Sequence, residues 1–348
     1  MPIPALAKPD YFTNAHSSGI SLPMEELRPL IRRNNFAALK YLAQWVLMLA
    51  VAAGLVWLSV DNWWRWLALL WLGVVLTVPA YALSHEAAHN TVFKQRWANT
   101  ALLWITSFVY MEEPLHRQHT HTNHHAYTWH VDVDSQMPFA TPMTFANWLK
   151  EVSGLALLCF HLRTLLQGVL GRPTLIVRQV TPSADMPKLI RNARWLLLAY
   201  GLLAYVIVGL GQTWLWWYLV LPRLLGAPVM LLFTLIQHVE MAENSPSIIE
   251  STRSFKSNWL GRFLYCNMNY HIEHHVYLAV PFYNLPKLGA LLANQLPEPD
   301  PGFWRTNWQV LSVVVRRSLG RNSKAESIRQ AQHMITTGKV KKISGAMM

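Results

Sequence analysis

Tyr41 to Val60 is a run of twenty residues without a charge, and Trp66 to Ser84 adds nineteen more. At 1.5 Å per residue, either run crosses a hydrocarbon core of about 30 Å as a helix. Between them Asp61-Asn62-Trp63-Trp64-Arg65 reads as a tight turn anchored by indoles, which favour the membrane-water boundary. The pattern predicts a helical hairpin with spans near 41–60 and 66–84. From Trp195 to His238 only Arg223 is charged. Forty-four residues are too many for one span and suit two, near 195–212 and 218–238. The aromatic cluster Trp214, Trp216, Trp217 and Tyr218 marks the break as an interface, with Arg223 close enough to snorkel back to it. This predicts a second hairpin.

Two further apolar stretches are weaker. Ala98 to Met111 is too short to span, and Gly154 to Leu170 is interrupted by His161 and Arg163. Both are expected to be interfacial or re-entrant helices. With four spans, the N-terminus, the loop from His85 to Arg194 and the segment after His238 share one side. That side holds 28 of the 30 Lys and Arg, all but Arg65 and Arg223. The positive-inside rule then places it in the cytoplasm, with both termini.

Composition sharpens this picture. The chain of 348 residues is 52% apolar and only 14% charged, where a soluble domain carries about 25% charged residues. Its net charge of +12 accompanies too much apolar sequence for a disordered or nucleic-acid-coating protein, and no nucleic-acid partner is expected. Two cysteines, Cys159 and Cys266, exclude a disulfide framework, a four-thiolate zinc site and an iron-sulfur cluster. Residues 1–36 lack the pattern of a secretory signal, since Asp10, Glu25 and Glu26 interrupt them. The tail from Arg316 to Lys342 holds eight basic residues and one acid, Glu326. It reads as a solvated, basic cytoplasmic flank, or as a docking surface for anionic lipid or an acidic electron donor.

Histidine is the outlier: ten of fifteen fall in three clusters. His85-Glu-Ala-Ala-His89 follows the second span directly. His116-Arg-Gln-His119-Thr-His121-Thr-Asn-His124-His125 and His271-Ile-Glu-His274-His275 come later, and His238 ends the fourth span. On a helix, positions i, i+3 and i+4 share a face while an adjacent pair splays by about 100°. Such a pair can serve two neighbouring metals. Nine candidate ligands result: His85, His89, His121, His124, His125, His238, His271, His274 and His275. They suit two metals of about five ligands each, whereas one zinc takes about four. Imidazole alone does not choose among iron, zinc, copper and nickel. Read by itself, His85-Glu86-x-x-His89 is also the signature of a zinc protease with Glu86 as general base, but that reading leaves most of the other histidines without a role. A metal transporter would place ionisable residues within its spans, and only Arg223 is so placed. His16, His161 and His333 are isolated and read as ordinary polar residues; His116, His119 and His130 are spare or supporting.

The three boxes in this order, with the phrase Asn267-Met-Asn-Tyr-His-Ile-Glu-His-His-Val-Tyr-Leu-Ala-Val-Pro-Phe-Tyr-Asn-Leu-Pro-Lys287, resemble the membrane fatty acid desaturase and hydroxylase superfamily from about residue 40 to 290. The resemblance implies an all-α integral membrane fold: four transmembrane helices in two hairpins under a cytoplasmic helical cap, which holds a histidine-rich site for two irons. It implies a membrane domain over 37–290, flanked by cytoplasmic segments 1–36 and 291–348, in an inner membrane if the source is bacterial. His238 matches a further ligand position, and Asn267 or Asn269 a water-mediated one. An all-imidazole shell carries no charge, so carboxylates are expected to orient the rings; Glu86, Asp132, Asp134, Glu240 and Glu273 are the candidates.

The implied reaction is O2-dependent removal of hydrogen from an unactivated C–H bond, giving a double bond in a fatty acyl or lipid chain. The alternative is a hydroxylase or ketolase acting on a carotenoid, an alkane or a small amino-acid-like molecule. No fused His-Pro-Gly-Gly cytochrome b5 segment is present. Electrons are therefore expected from a separate ferredoxin or cytochrome b5 with its reductase.

Overall fold

The computed structural model describes residues 19–137 and 141–320. The basic tail beyond 320, with His16 and His333, lies outside them. Among the described residues the secondary structure is helical, with one isolated bridge between Phe255 and Asp300. Among the described residues four helices are long and apolar enough to cross a membrane, or five if one bent pair of shorter helices counts as a span. They are α2 (Asn35–Leu58), α3 (Arg65–Ala88), a third running Ser183–Gly209 and a fourth running Trp216–Leu235. The third contains α9 (Met186–Ala204) and ends in a wider turn, Tyr205–Gly209; the fourth opens on a similar turn, Trp216–Val220, and continues as α10 (Leu221–Leu235).

The four spans are those expected, with shifted ends. Helix α2 starts six residues earlier than the charge-free run because Asn34 caps it, its side chain accepting from the Phe36 and Ala37 amides. The third begins near 183 rather than 195. Its first turns carry Lys188, Arg191 and Arg194, which hide a continuous helix from a search for uncharged sequence. Helix α3 runs four residues beyond Ser84 and takes the first histidine box into its last turn.

Helix α3 is the axis of the bundle: 78% of its apolar window is buried, against 22% for α2. Its partners are α2, α10 and the short α4 (Arg96–Tyr110). Two sequence features allow this. Gly73 and Gly226 face each other where α3 crosses α10, and a Cβ on either would strike the other helix's backbone. Pro79, inside α3, has no amide for the Val75 carbonyl one turn earlier, and Trp45 Nε1 of α2 donates to that carbonyl at 2.7 Å. At the end remote from the histidines, Arg65 stacks on Trp217, 4.0 Å from the ring centre, joining the two hairpin turns.

The other doubtful stretches are short helices. Helix α4 has fifteen residues. Residues 145–169 form α6 (Phe145–Val152) and α7 (Leu155–Val169), bent by 63°, as in a broken or re-entrant segment. The remaining helices cover the histidine end. They are α1 (Met24–Leu30), α5 (Pro114–Ala126), α8 (Leu175–Val180), α11 (Ile248–Ser251), α12 (Trp259–Leu264), α13 (His271–Val276), α14 (Leu285–Leu292) and α15 (Phe303–Ser318). Leu27, Leu30, Val310 and Val314 from the chain's two ends join the same apolar core as α3 and α13.

Candidate metal centre

Each box is presented by a helix whose end is fixed locally. His85 lies in the last turn of α3 and His89 at its C-cap; the Thr91 hydroxyl closes the helix by donating to the Glu86 carbonyl at 2.9 Å. Helix α5 begins at Pro114, and Glu113 before it accepts from the Leu115 and His116 amides at 3.0 and 2.6 Å. This sets the register that brings His121 and His125, one turn apart, to one face. Helix α13 has only six residues. It is held by the Ser254 hydroxyl, which accepts from the Ile272 amide at 3.0 Å. Before it, Cys266 and Asn267 take left-handed backbone with φ of 48° and 54°, turning the chain back toward the bundle. His238 follows α10 in an irregular turn.

The nine imidazoles meet in two groups. His85, His89, His121, His125 and His274 form one; His124, His238, His271 and His275 form the other. Within each group one nitrogen per ring lies within 4.8 Å of all the rest. Both adjacent pairs split as their 100° splay requires: His125 and His274 enter the first group, His124 and His275 the second.

The geometry fits metal better than hydrogen bonding. His125 Nε2 stands 3.1 Å from His89 Nε2, 3.1 Å from His121 Nε2 and 3.3 Å from His274 Nε2. His271 Nε2 stands 3.0 Å from His238 Nε2 and 3.2 Å from His275 Nε2. One ring nitrogen has one proton or one lone pair, so it cannot satisfy three such neighbours. Nitrogens at about 2.1 Å from a common metal would lie about 3.0–3.4 Å apart. Burial also holds the rings in the neutral form that ligates. His238 is pushed down to about 3, first by burial and then by His124; His121, His125, His271, His274 and His275 lie well below the usual imidazole value for the same first reason.

Two of the opposite ring edges make close hydrogen bonds. His124 Nδ1 donates to Asp134 Oδ2 at 2.8 Å, and His238 Nδ1 to the Ser251 carbonyl at 2.9 Å. Asp134 also accepts from the Trp129 and Gln136 amides. Burial alone would raise its carboxyl, but His124 and these bonds bring it below its ordinary value. Glu86 Oε1 stands 3.7 Å from His274 Nδ1, while its Oε2 accepts from Thr91 Oγ1 at 2.8 Å and the Phe282 amide at 3.1 Å. Glu86 thus lies on the Nδ1 side of His274, away from the converging Nε2 atoms.

The other orienting candidates sit elsewhere. Asp132 is exposed. Glu240 is gripped by both Arg317 terminal nitrogens, at 2.6 and 2.5 Å, so this arginine is docked rather than part of a solvated flank. Glu273 accepts from Ser254 Oγ at 2.6 Å. Asn267 Nδ2 donates to the Phe282 carbonyl, and Asn269 Nδ2 to the Phe255 carbonyl, both at 3.0 Å. Asn269 Oδ1 is buried without a hydrogen-bond partner. His116, His119 and His130 join neither group; His119 pairs with Asp185 at 3.1 Å and His130 with the Thr128 carbonyl at 3.1 Å. His161 is a satisfied interior residue, bonded to the Tyr110 carbonyl at 2.8 Å.

Sequence reasoning missed Thr128, whose hydroxyl lies 3.3 Å from His275 Nδ1, and Gln136, 3.4 Å from His121 Nδ1. Both follow the second box closely, which was the available signal. It also missed Trp129, stacked on His238 at 5.4 Å between ring centres.

Apolar helices of membrane length, joined at one end by a buried nine-histidine site, define a class of integral membrane metal-site proteins. Residues 61–307, well over half of the chain, match the fatty acid desaturase family, and the chain belongs to that family. It is therefore an oxidoreductase. A relative, the dihydrorhizobitoxine desaturase of Bradyrhizobium elkanii, is 28% identical over 314 residues, covering 82% of this chain and 81% of the relative.

Proposed function

We propose that this chain is an O2-dependent desaturase holding two irons, with five imidazoles for one and four for the other. The observation that carries the reading is the convergence of Nε2 atoms at 3.0–3.3 Å in two adjoining sets. When bound, the metal pair supplies O2 activation and the oxidising power to break an aliphatic C–H bond. Removing two hydrogen atoms, that is two protons and two electrons, from adjacent carbons of an acyl or lipid chain, with two further electrons from a carrier and two protons from solvent, reduces O2 to two waters. The carrier is an external ferredoxin or cytochrome b5 with its reductase.

The protein's own part is positioning and exclusion. Asp134, the Ser251 carbonyl and Glu86 hold ring orientation, which sets where lone pairs point. The buried walls keep water from the reacting atoms. A cavity of about 320 Å³ reaches His85, His121, His124, His238 and His271 and is the place for the substrate. Under the positive-inside rule, the metal end and the basic segments beside it face the cytoplasm, with 1–36 and 291–348 flanking the membrane domain.

Metal analysis of the purified chain tests the centre, and mass spectrometry of products from a host fed labelled fatty acids tests the chemistry. About two irons per chain and an unsaturated product are expected. One zinc per chain, with activity surviving His275→Ala, would overturn the reading; an alcohol product would move it to the related hydroxylases.

A further inference from the structure

Helix α7 carries a stripe of leucines that no other part of the chain covers. Leu155, Leu162, Leu166 and Leu170 follow one another at helical spacing, so they share one side, and all four are exposed. The helix rises from membrane depth to the boundary. A Cβ on Gly154, before its first turn, would stand 3.0 Å from Ala227 Cβ in the fourth span. A Cβ on Gly168, in its last turn, would stand 3.1 Å from Ala193 Cβ, where the third span passes from charged to uncharged sequence. Arg194 fixes that end by donating from Nε to the Val169 carbonyl at 3.2 Å. From Leu155 to Leu166 the axis rises about 16 Å, close to the hydrocarbon depth of one leaflet, half of about 30 Å.

Just beyond this end is a surface cavity of about 540 Å³, with Arg163, Gln167, Arg172, Leu175 and Arg178 in its walls. The three arginines come from α7, from the loop after it and from α8, and all are exposed. Among the described residues none of the three guanidinium groups makes an ion pair or hydrogen bond. No acid occurs between Glu151 and Asp185, and neither of those two lines the cavity. A cleft walled by one sign of charge draws counter-ions, and guanidinium grips phosphate through parallel hydrogen bonds.

We propose that this cavity binds the phosphate of an anionic phospholipid from the leaflet on the metal side, with one acyl chain lying along the leucine stripe. A free phosphate would satisfy the arginines but gain nothing from the leucines, and an acidic protein could not follow them into the membrane. The lipid is a bound partner and not the substrate, because no residue lines both this cavity and the one beside the imidazoles. The proposal goes beyond the oxidative function and does not depend on it.

Titration of the delipidated full chain in detergent tests this, with dioleoyl phosphatidylglycerol, dioleoyl phosphatidylcholine and inorganic phosphate as probes. Native mass spectrometry counts bound lipid, and the thermal midpoint reports its effect. Phosphatidylglycerol is expected to bind at least tenfold tighter than phosphatidylcholine. Arg163→Gln and Arg178→Gln should each weaken it about fivefold, whereas Arg178→Lys, which keeps the charge but loses the fork, should weaken it less. Without lipid these variants should melt as the wild type does, since exposed side chains contribute little to folding. Arg191→Gln, an exposed position outside the cavity, should leave binding unchanged. Equal binding of the two lipids, or unchanged binding in both glutamine variants, would overturn the site. Equal weakening by Arg191→Gln would reduce it to general surface charge, and stabilisation by inorganic phosphate as large as that by phosphatidylglycerol would assign it to a free anion; either result overturns the lipid.

Discussion

At the scale of single residues, the site is built from imidazoles whose two edges have different tasks. Nε2 atoms converge on the centre, while Nδ1 is hydrogen-bonded from outside in His124, through Asp134, and in His238, through the Ser251 carbonyl. Asp134→Asn keeps the size of the side chain but changes what it can accept. Loss of an orienting partner of this kind lowers metal affinity by about 10–100-fold. After dialysis against a graded chelator series, Asp134→Asn should lose metal from the four-histidine group first and pass through a state of about one iron per chain. Loss of both metals together would show that the two groups do not bind separately. Asp132→Asn, at an exposed position, is the matched control and should behave as wild type.

At the scale of elements, the position of the site depends on how closely α3 and α10 approach, because His85 ends one helix and His238 follows the other. Gly73 and Gly226 set that approach, in the way small residues do between membrane helices. Gly226→Ala should push the two apart and cost about 1–3 kcal/mol through overpacking, seen as a lower thermal midpoint together with weaker metal retention. Gly54, in α2, has open space where a Cβ would stand. Gly54→Ala should raise stability by up to about 1 kcal/mol, since alanine gives up less backbone freedom in a helix. Opposite shifts from the same substitution would locate the effect in packing rather than in helix propensity.

At the scale of the whole molecule, the metal-end cap shares one apolar core with α3. It leans on α3 and on the nine imidazoles, and Tyr41 of α2 reaches into it by donating to the Phe263 carbonyl at 2.8 Å. Binding of metal to a site absent from the unfolded chain adds its free energy to folding. Chelation should therefore loosen the cap before the bundle: amide exchange over 114–137 and 268–280 should rise at least tenfold while α3 stays protected. Uniform loosening would show that the cap and the spans unfold as one unit.

Much of this was legible in one dimension. Spanning length and helical spacing are local properties, so the four spans and all nine clustered imidazoles could be read from the chain itself, as could the splaying of the His124–His125 and His274–His275 pairs. The orienting residues were legible only in part. Asp134 bonds His124 and Glu86 stands 3.7 Å from His274, but Glu240 meets Arg317 and Glu273 meets Ser254, because the partner of a loop carboxylate depends on which distant segment folds against it. The five-and-four division of the rings and the Val75 carbonyl taken by Trp45 belong to the same category. They are decided where helix faces from remote parts of the chain meet, and only the tertiary structure determines which faces those are.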